Sequence, residues 1–291
     1  MILCKKKISN FDLKSIQNNI SQYQNKLTDY CNKKIFMCDY GYIKVTEISD
    51  ITEYYKALQN NRSGLSISFM LDDIIGFIDT HIGIDNFAKI LNKMDVKTHI
   101  ICIDDIYVYH EYRNSHVGKE LINFVRDHYY SNSLILTKVY VNGAEDGWTD
   151  KKYFKKLNTI TKYFEKRLFK DINNLTGYET HVPMIDIYNP TGLYLYQLID
   201  DFYSNCIHTY HSDDQTKSLI LGYAYSIFPH LSFKTLGECF NISPKIVSKI
   251  VKEDFLQNIR PDIREQYSVM VNEKIENTKR MFLPKSEKEG E

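Results

Sequence analysis

The residue types with the clearest chemical potential lie where an apolar strand turns into a helix, between Ile103 and Ile122. The turn consists of Arg113, Asn114, Ser115, His116, Val117, Gly118 and Lys119. A helix N-terminus exposes backbone N–H groups that have no intrahelical partner, and the aligned peptide dipoles add positive potential there. Gly118 lets the backbone approach a phosphate oxygen, and Arg113 and Lys119 add positive charge. The turn therefore predicts a binding site for a pyrophosphate group.

The same stretch resembles the coenzyme A signature of the GNAT family of N-acetyltransferases. That signature has Val, a short linker, Arg or Gln, two variable residues, Gly, any residue and Gly, and it opens a helix. The chain reads VYHEYRNSHVGKELI from Val108 to Ile122, and His116 stands where the first Gly is usual. The imidazole would either crowd the phosphates or donate a hydrogen bond to them. The order of the expected elements between Lys34 and Asn189, about half of the chain, also resembles the GNAT fold.

The resemblance implies acetyl-CoA as co-substrate and direct transfer of an acetyl group to an amine. In the family, the backbone of the fourth strand pairs with the pantetheine arm, and the corresponding residues here are Ile106, Tyr107 and Val108. Their side chains suit an ordinary sheet core equally well, because main-chain groups make the contact. The acceptor amine cannot be identified from the sequence.

The resemblance also locates the acid that protonates the departing thiolate. Many members have a Tyr in a pattern resembling Tyr-Glu-Lys-x-Gly-Phe, near the end of the last long helix. The corresponding residues run from Phe164 to Phe169, so Phe164 occupies the Tyr position and Leu168 the Gly position. Tyr163 is the candidate acid in this chain, although adjacent helical residues point about 100° apart. A packing role for Tyr163, and a GNAT domain that only binds acyl-CoA, are the alternatives.

A general base must accept the proton of the attacking amine. Asp105 is the candidate, because it lies on the strand that should border the substrate slot, three residues before Val108. Strand alternation places Asp104 on the opposite face. Glu145 and Asp146, near Trp148, are rivals for the same role. Each carboxylate, taken alone, also fits a solvated or structural role.

The predicted strands and helices that position these residues indicate an α/β fold, with a mixed α+β sheet of the GNAT type. An all-helical domain follows at the C-terminal end. Residues 1–33 form an N-terminal unit in which apolar spacing predicts a helix from about Asp12 to Cys31. Residues 34–189 form the GNAT-like domain, with a helix capped by Ser49 and two strands between Leu65 and Ile82 joined at Asp72 and Asp73. Residues 190–283 read as helices, and 284–291 as a disordered tail.

The segment from Leu231 to Ile250 resembles a helix-turn-helix, in which Ser243 caps the second helix and Pro244 is its first residue. The outer face of that helix would carry Ser243, Lys245, Ser248 and Lys249, the residues that would contact nucleic acid. Lys and Arg number ten against seven Asp and Glu between Pro229 and Lys285, a slight excess for a DNA-binding module. DNA contact and protein docking are both open.

Composition excludes several other classes. Lys plus Arg equals Asp plus Glu at 37 each, so no global charge directs the chain to nucleic acid or anionic membranes. The six cysteines show no CxxC and no zinc-type spacing, so we expect reduced thiols and no metal. We find no signal peptide and no run of about 20 apolar residues, which predicts a cytoplasmic protein without membrane partners. A homodimer is possible. The main rival function is a non-catalytic, acyl-CoA-sensing or scaffold regulator that binds DNA.

Overall fold

The computed structural model describes residues 17–21, 31–60, 69–93, 100–129, 133–141, 150–177, 181–204 and 213–282. The chain folds into two compact units, Met1–Tyr196 and Gln197–Glu291. The division falls a few residues after the predicted boundary at 189/190 and lies inside helix α7 (Pro190–Ser204). The start of that helix therefore belongs to the first unit.

A mixed sheet forms the centre of the first unit, as the sequence predicted. Its strands are β1 (Gln17–Ser21), β2 (Cys31–Cys38), β3 (Gly41–Ile48), β4 (Ile100–Val108), β5 (Leu134–Val139), β6 (Phe169–Asp171) and β7 (Val182–Asp186). Within the described ranges the strand order is β1-β2-β3-β4-β5-β7-β6. The pairing of β4 with β5 is parallel, and the other pairings are antiparallel. The parallel pair is the place where the sheet can open into a cleft.

The helices of the first unit are α1 (Ile51–Asn60), α2 (Phe69–Phe77), α3 (Ile84–Asn92), α4 (Val117–Tyr129), α5 (Asp150–Glu165) and α6 (Asn173–Thr176). Helix α4 packs on β3 and β4, and α5 packs near β5 and β6. Val117, Leu121 and Val125 of α4 are buried in one core cluster with Val45 and Ile103 of the sheet. This packing fixes the start of α4 beside the end of β4.

Two predictions about the beginning of the first unit are wrong. Residues Gln17–Ser21 form a strand paired with β2 instead of part of a helix, because Asn18 and Asn19 are weak helix formers and the edge of β2 offers backbone partners. The rest of the predicted helix up to residue 30 lies outside the described residues, and Cys31 begins β2. Helix α1 is capped by Asp50, not Ser49, since the Asp50 carboxylate accepts from the backbone N–H groups of residues 52 and 53.

The predicted hairpin between Leu65 and Ile82 is helical over its described part. Helix α2 continues into a π-helical turn, Ile78–Ile82. Leu71, Ile74, Ile75 and Ile78 are buried at spacings of three and four, the pattern of one helix face. Its apolar runs, such as Ile74–Ile78, are short, and such runs do not distinguish strand from helix by composition.

The second unit is helical over its described residues, as predicted. Its helices after α7 are α8 (Asp213–Ile227), α9 (Phe233–Phe240), α10 (Pro244–Lys249), α11 (Phe255–Asn258) and α12 (Pro261–Phe282), with a π-helical turn, Ile250–Asp254, between α10 and α11. Helix α8 is buried continuously from Ser218 to Ile227 and is the central helix of this unit. The predicted tail, 284–291, lies outside the described residues.

Candidate functional site

A cleft opens where β4 separates from β5. The two strands pair only from Ile100 to Ile103 on β4, opposite Leu134 to Thr137 on β5, whereas β4 continues to Val108. The Thr137 hydroxyl donates to the carbonyl of Ile103 at 3.2 Å and closes the end of the ladder. The backbone beyond that point borders a cavity of about 970 Å³. Its lining includes the predicted coenzyme-arm residues Ile106, Tyr107 and Val108.

The predicted phosphate turn lies at one end of this cavity. Arg113, Asn114, His116, Val117 and Gly118 line it, whereas Ser115 and Lys119 do not. The backbone is left-handed at both Asn114 (φ 65°) and His116 (φ 67°). The carbonyl of His116 accepts the N–H groups of Lys119 and Glu120 at 2.9 and 3.1 Å and so begins α4. The first N–H groups of α4 are therefore at the cavity wall.

The side chains of the turn hold its shape. The Arg113 Nε–H donates to the carbonyl of Val108 at 3.2 Å, and its guanidinium lies 5.8 Å from the ring centroid of Tyr107. The Ser115 hydroxyl donates to the carbonyl of Tyr112. Ser115 thus stabilises the turn from within, and Arg113 links the turn to the end of β4.

Two carboxylates lie at an irregularity in β4. Lys44 pairs with Asp105 and Val45 pairs with Ile103, so Asp104 is an extra, bulged residue. Asp104 accepts from the Thr46 hydroxyl at 2.7 Å. Desolvation raises the pKa of Asp104, and the Thr46 hydrogen bond offsets part of this shift.

Asp105 contacts the same face of β3. It accepts from the Tyr42 hydroxyl at 3.2 Å and lies 3.9 Å from Lys44 Nζ. Because residues 42, 44 and 46 alternate onto one face of β3, both carboxylates lie on that face. The expectation that Asp104 points away from Asp105 is therefore wrong, since the bulge breaks the alternation. Glu145, Asp146 and Trp148 lie outside the described residues.

Residues 33–146 match the model of the Acetyltransferase (GNAT) family. This part of the chain is a GNAT domain. The matched segment contains β4, the turn and α4, and the sheet continues through β6 and β7 beyond it. No curated protein gives a significant match to the chain.

The C-terminal end of α5 supplies the far wall of the GNAT cleft. Tyr163 and Arg167 line the cavity, and the Arg167 guanidinium lies 3.4 Å from the centroid of the Tyr163 ring. Burial raises the pKa of Tyr163, while Arg167 has the opposite effect. Phe164 also lines the cavity, but it is 7% exposed and packs edge-on against Phe169. Tyr163, not the residue at the family's Tyr position, presents a hydroxyl to the cleft.

A buried ion pair that the sequence did not reveal anchors this wall. Arg126 of α4 donates from Nε and Nη2 to the carboxylate of Asp186 at 2.8 Å each. Its Nη2 also donates to the carbonyl of Arg167 at 2.5 Å. The next residue, Leu168, stands at the family's Gly position and has φ 62°, a left-handed conformation that glycine adopts most readily. The pair joins α4, β7 and the end of α5. Sixty residues separate Arg126 from Asp186, so no local spacing indicates it.

The predicted nucleic-acid residues lie at the start of α10 in the second unit. Ser243 caps α10 by accepting from the N–H of Ile246, and Ser232 caps α9 in the same way through Thr235. Gly237 allows the tight connection, since an added Cβ would lie 2.5 Å from the carbonyl oxygen of Ile242. Ser243, Lys245 and Lys249 are exposed, and Ser248 is half-buried. Two capped helices and a short turn are present, and a DNA role stays a prediction.

The described residues contain neither a cluster of metal ligands nor a membrane-spanning helix. No group of three or more His, Cys, Asp and Glu side chains there is arranged to hold a metal ion. No helix within the described ranges has the length and apolar character needed to cross a bilayer.

Proposed function

We propose that the GNAT domain transfers an acetyl group directly from acetyl-CoA to an amine. The observation that carries this proposal is the cleft between β4 and β5, which ends at the N-terminus of α4. The backbone of Ile106–Val108 borders the cleft and would pair with the pantetheine arm. The diphosphate would meet the first N–H groups of α4 and the positive charge of Arg113.

The carboxylates at the bulge support the transfer step. The amine nitrogen attacks the thioester carbonyl, an N–C bond forms, the C–S bond breaks, and the amine proton passes to a base. We assign that role to Asp105, which borders the cleft and is oriented by Tyr42 and Lys44. Asp104 lies beside it at the bulge and is the rival base.

Calorimetry with acetyl-CoA tests the binding half of the proposal. We expect Gly118→Glu to abolish measurable binding, because it places a carboxylate at the phosphate end and against the Tyr163 hydroxyl. Gly76→Glu is the matched control, since Gly76 lies on an exposed helix surface with nothing within 4 Å of an added Cβ. No binding by the unaltered chain at high micromolar acetyl-CoA, or equal binding by both variants, would rule the proposal out.

Thiol release with a panel of amines tests the catalytic half. We expect Asp105→Asn to lower kcat by about 10²-fold or more, the usual contribution of a general base. Asp127→Asn, on the exposed surface of α4, should leave kcat unchanged. A full rate in Asp105→Asn together with a large loss in Asp104→Asn would move the role of base to Asp104.

We propose further that the C-terminal helices recruit a macromolecule. Lys245 and Lys249 are exposed on α10, which supports an anionic partner such as DNA. The same feature, together with Phe164 at the family's Tyr position, supports the alternative of a non-catalytic, acyl-CoA-sensing regulator.

A DNA-retention assay distinguishes DNA contact from protein docking as the role of the C-terminal helices. Lys245→Ala combined with Lys249→Ala should weaken retention if α10 contacts DNA. Lys279→Ala combined with Arg280→Ala removes the same charge from the exposed end of α12 and is the control. Equal retention by both pairs would leave protein docking as the proposed role. A cytoplasmic location and a homodimer stay expectations from the sequence.

A further inference from the structure

The Tyr163 hydroxyl lies at the phosphate end of the cleft. Its Oη is 2.4 Å from the position that an added Cβ on Gly118 would occupy, so it touches the first turn of α4. The same added Cβ would lie 3.7 Å from Val108 Cγ2. Tyr163, Gly118 and the end of β4 therefore meet at one place.

The carboxylates lie farther along β4. A strand rises about 3.3 Å per residue, so Asp105 is about 10 Å from Val108 along the chain. A pantetheine arm that follows β4 from a diphosphate at α4 brings its thioester towards Asp105. Tyr163 is consequently at the end opposite the departing sulfur.

Arg167 has hydrogen-bonding capacity that the protein does not use. Its Nη1 donates to the carbonyl of Tyr163 at 2.6 Å, but its Nε is buried and has no hydrogen-bond partner within the described part of the chain. The side chain lines the cavity and covers the Tyr163 ring. A guanidinium at a cavity wall matches the oxygens of a phosphate through its fork of N–H groups. The contact between Arg126 and the carbonyl of Arg167 holds it there.

We propose that Tyr163 and Arg167 bind the diphosphate of the coenzyme and complete, from α5, the site that α4 begins. This rests on the proposed function. Tyr163 then acts as a hydrogen-bond donor to the diphosphate and not as the acid that protonates the thiolate. Solvent protonates the thiolate instead. A tyrosine hydroxyl is protonated at neutral pH and able to donate, and burial raises the pKa of Tyr163 further.

The test compares coenzyme affinity with turnover in the full chain. Calorimetry with coenzyme A, without acceptor, should show affinity about tenfold lower or more for Arg167→Gln and lower by a smaller factor for Tyr163→Phe, since each removes a charge-assisted hydrogen bond. Lys166→Gln removes the neighbouring exposed charge and should leave affinity unchanged. Both cleft variants should raise the KM for acetyl-CoA by about the factor by which they lower coenzyme affinity. With acetyl-pantetheine, which lacks the diphosphate, either variant should lower kcat/KM by a smaller factor than with acetyl-CoA.

A different result would overturn the assignment. If Tyr163→Phe lowered kcat at saturation and left coenzyme affinity unchanged, Tyr163 would be the acid. Equal coenzyme affinity in Arg167→Gln and Lys166→Gln would overturn the role of Arg167, and Arg167→Lys repeats this comparison should the Gln variant not fold. Coenzyme binding without turnover would overturn only the acetyl-transfer proposal. The diphosphate assignment would still be decided by the coenzyme affinities of the variants. No binding of coenzyme A by the unaltered chain would overturn both.

Discussion

The substitution His116→Gly should stabilise the first unit and at the same time show what the imidazole does to the coenzyme. His116 has φ 67° and is exposed. A residue with a Cβ in that conformation costs about 1–2 kcal/mol, whereas glycine adopts it freely. Glycine also gains freedom in the unfolded chain, which lowers stability by about 0.4–1 kcal/mol. Little burial is lost, so the net gain in unfolding free energy should be about 0.5–1 kcal/mol.

Gly177 provides the reverse substitution on an equivalent backbone. It has φ 64°, is exposed, and has nothing within 4 Å of an added Cβ. Gly177→Ala should therefore lower stability by about as much as His116→Gly raises it. His116→Ala retains the Cβ and should leave the strain in place. For a unit of this size, the expected shifts in Tm are about 1–4 °C in opposite directions.

Denaturant unfolding measures the stabilities, and calorimetry with acetyl-CoA measures the role of the ring. If the imidazole crowds the phosphates, both His116→Ala and His116→Gly should bind acetyl-CoA more tightly. If the imidazole donates to a phosphate, both should bind more weakly. Equal or lower stability of His116→Gly relative to His116→Ala would refute the strain argument, because the two variants differ only in the Cβ.

Two further predictions concern buried charges. Desolvation raises the pKa of Asp201 from 3.8 to about 6, against the opposing effects of Tyr223 and Arg260. The folded state therefore binds the Asp201 proton more tightly than the unfolded state does. The resulting contribution to the free energy of unfolding is fully present below about pH 4 and is lost as pH rises through about 6. The loss is at most roughly 3 kcal/mol. Asp201→Asn should flatten the dependence of unfolding free energy on pH between 4 and 7, and an unchanged slope would contradict this. Arg126→Ala should cost about 3–5 kcal/mol by leaving Asp186 buried and unpaired. Replacing both Arg126 and Asp186 by apolar residues of similar volume should cost less, and an equal cost in thermal unfolding would contradict this reasoning.

The backbone explains two departures from the family pattern that the sequence shows only as changes of residue type. His116 and Leu168 occupy positions where the family has glycine, and both have positive φ. The backbone thus keeps the glycine conformation even where the residue has changed. The sequence places Phe164 at the family's Tyr position, but only the structure shows that Tyr163 presents the hydroxyl at the phosphate end.

The features that the sequence did not predict depend on partners far along the chain. The bulge at Asp104 exists because β3 pairs with β4 in two registers, on either side of Lys44 and Val45. No pattern within β4 itself specifies it. The two strands predicted between Leu65 and Ile82 are a different case, since the buried positions from Leu71 to Ile78 follow a helical spacing. Short apolar runs satisfy both periods when burial is unknown.

The base that we propose would serve the more demanding half of the chemistry, which favours the catalytic proposal despite Phe164. A thiol has a pKa of about 8.5, so a departing thiolate is stable enough near neutral pH to leave without an acid beside it. A lysine-type amine has a pKa of about 10.4, so it must lose a proton before or during attack. Loss of the family Tyr therefore affects the easier step, whereas the base that we propose, Asp105, would serve the harder one. With α-amino groups, whose pKa is about 7.7–8.0, the base matters less. Asp105→Asn should thus impair transfer to lysine-type amines more than transfer to α-amino groups, and an equal loss for both would argue against Asp105 as the base.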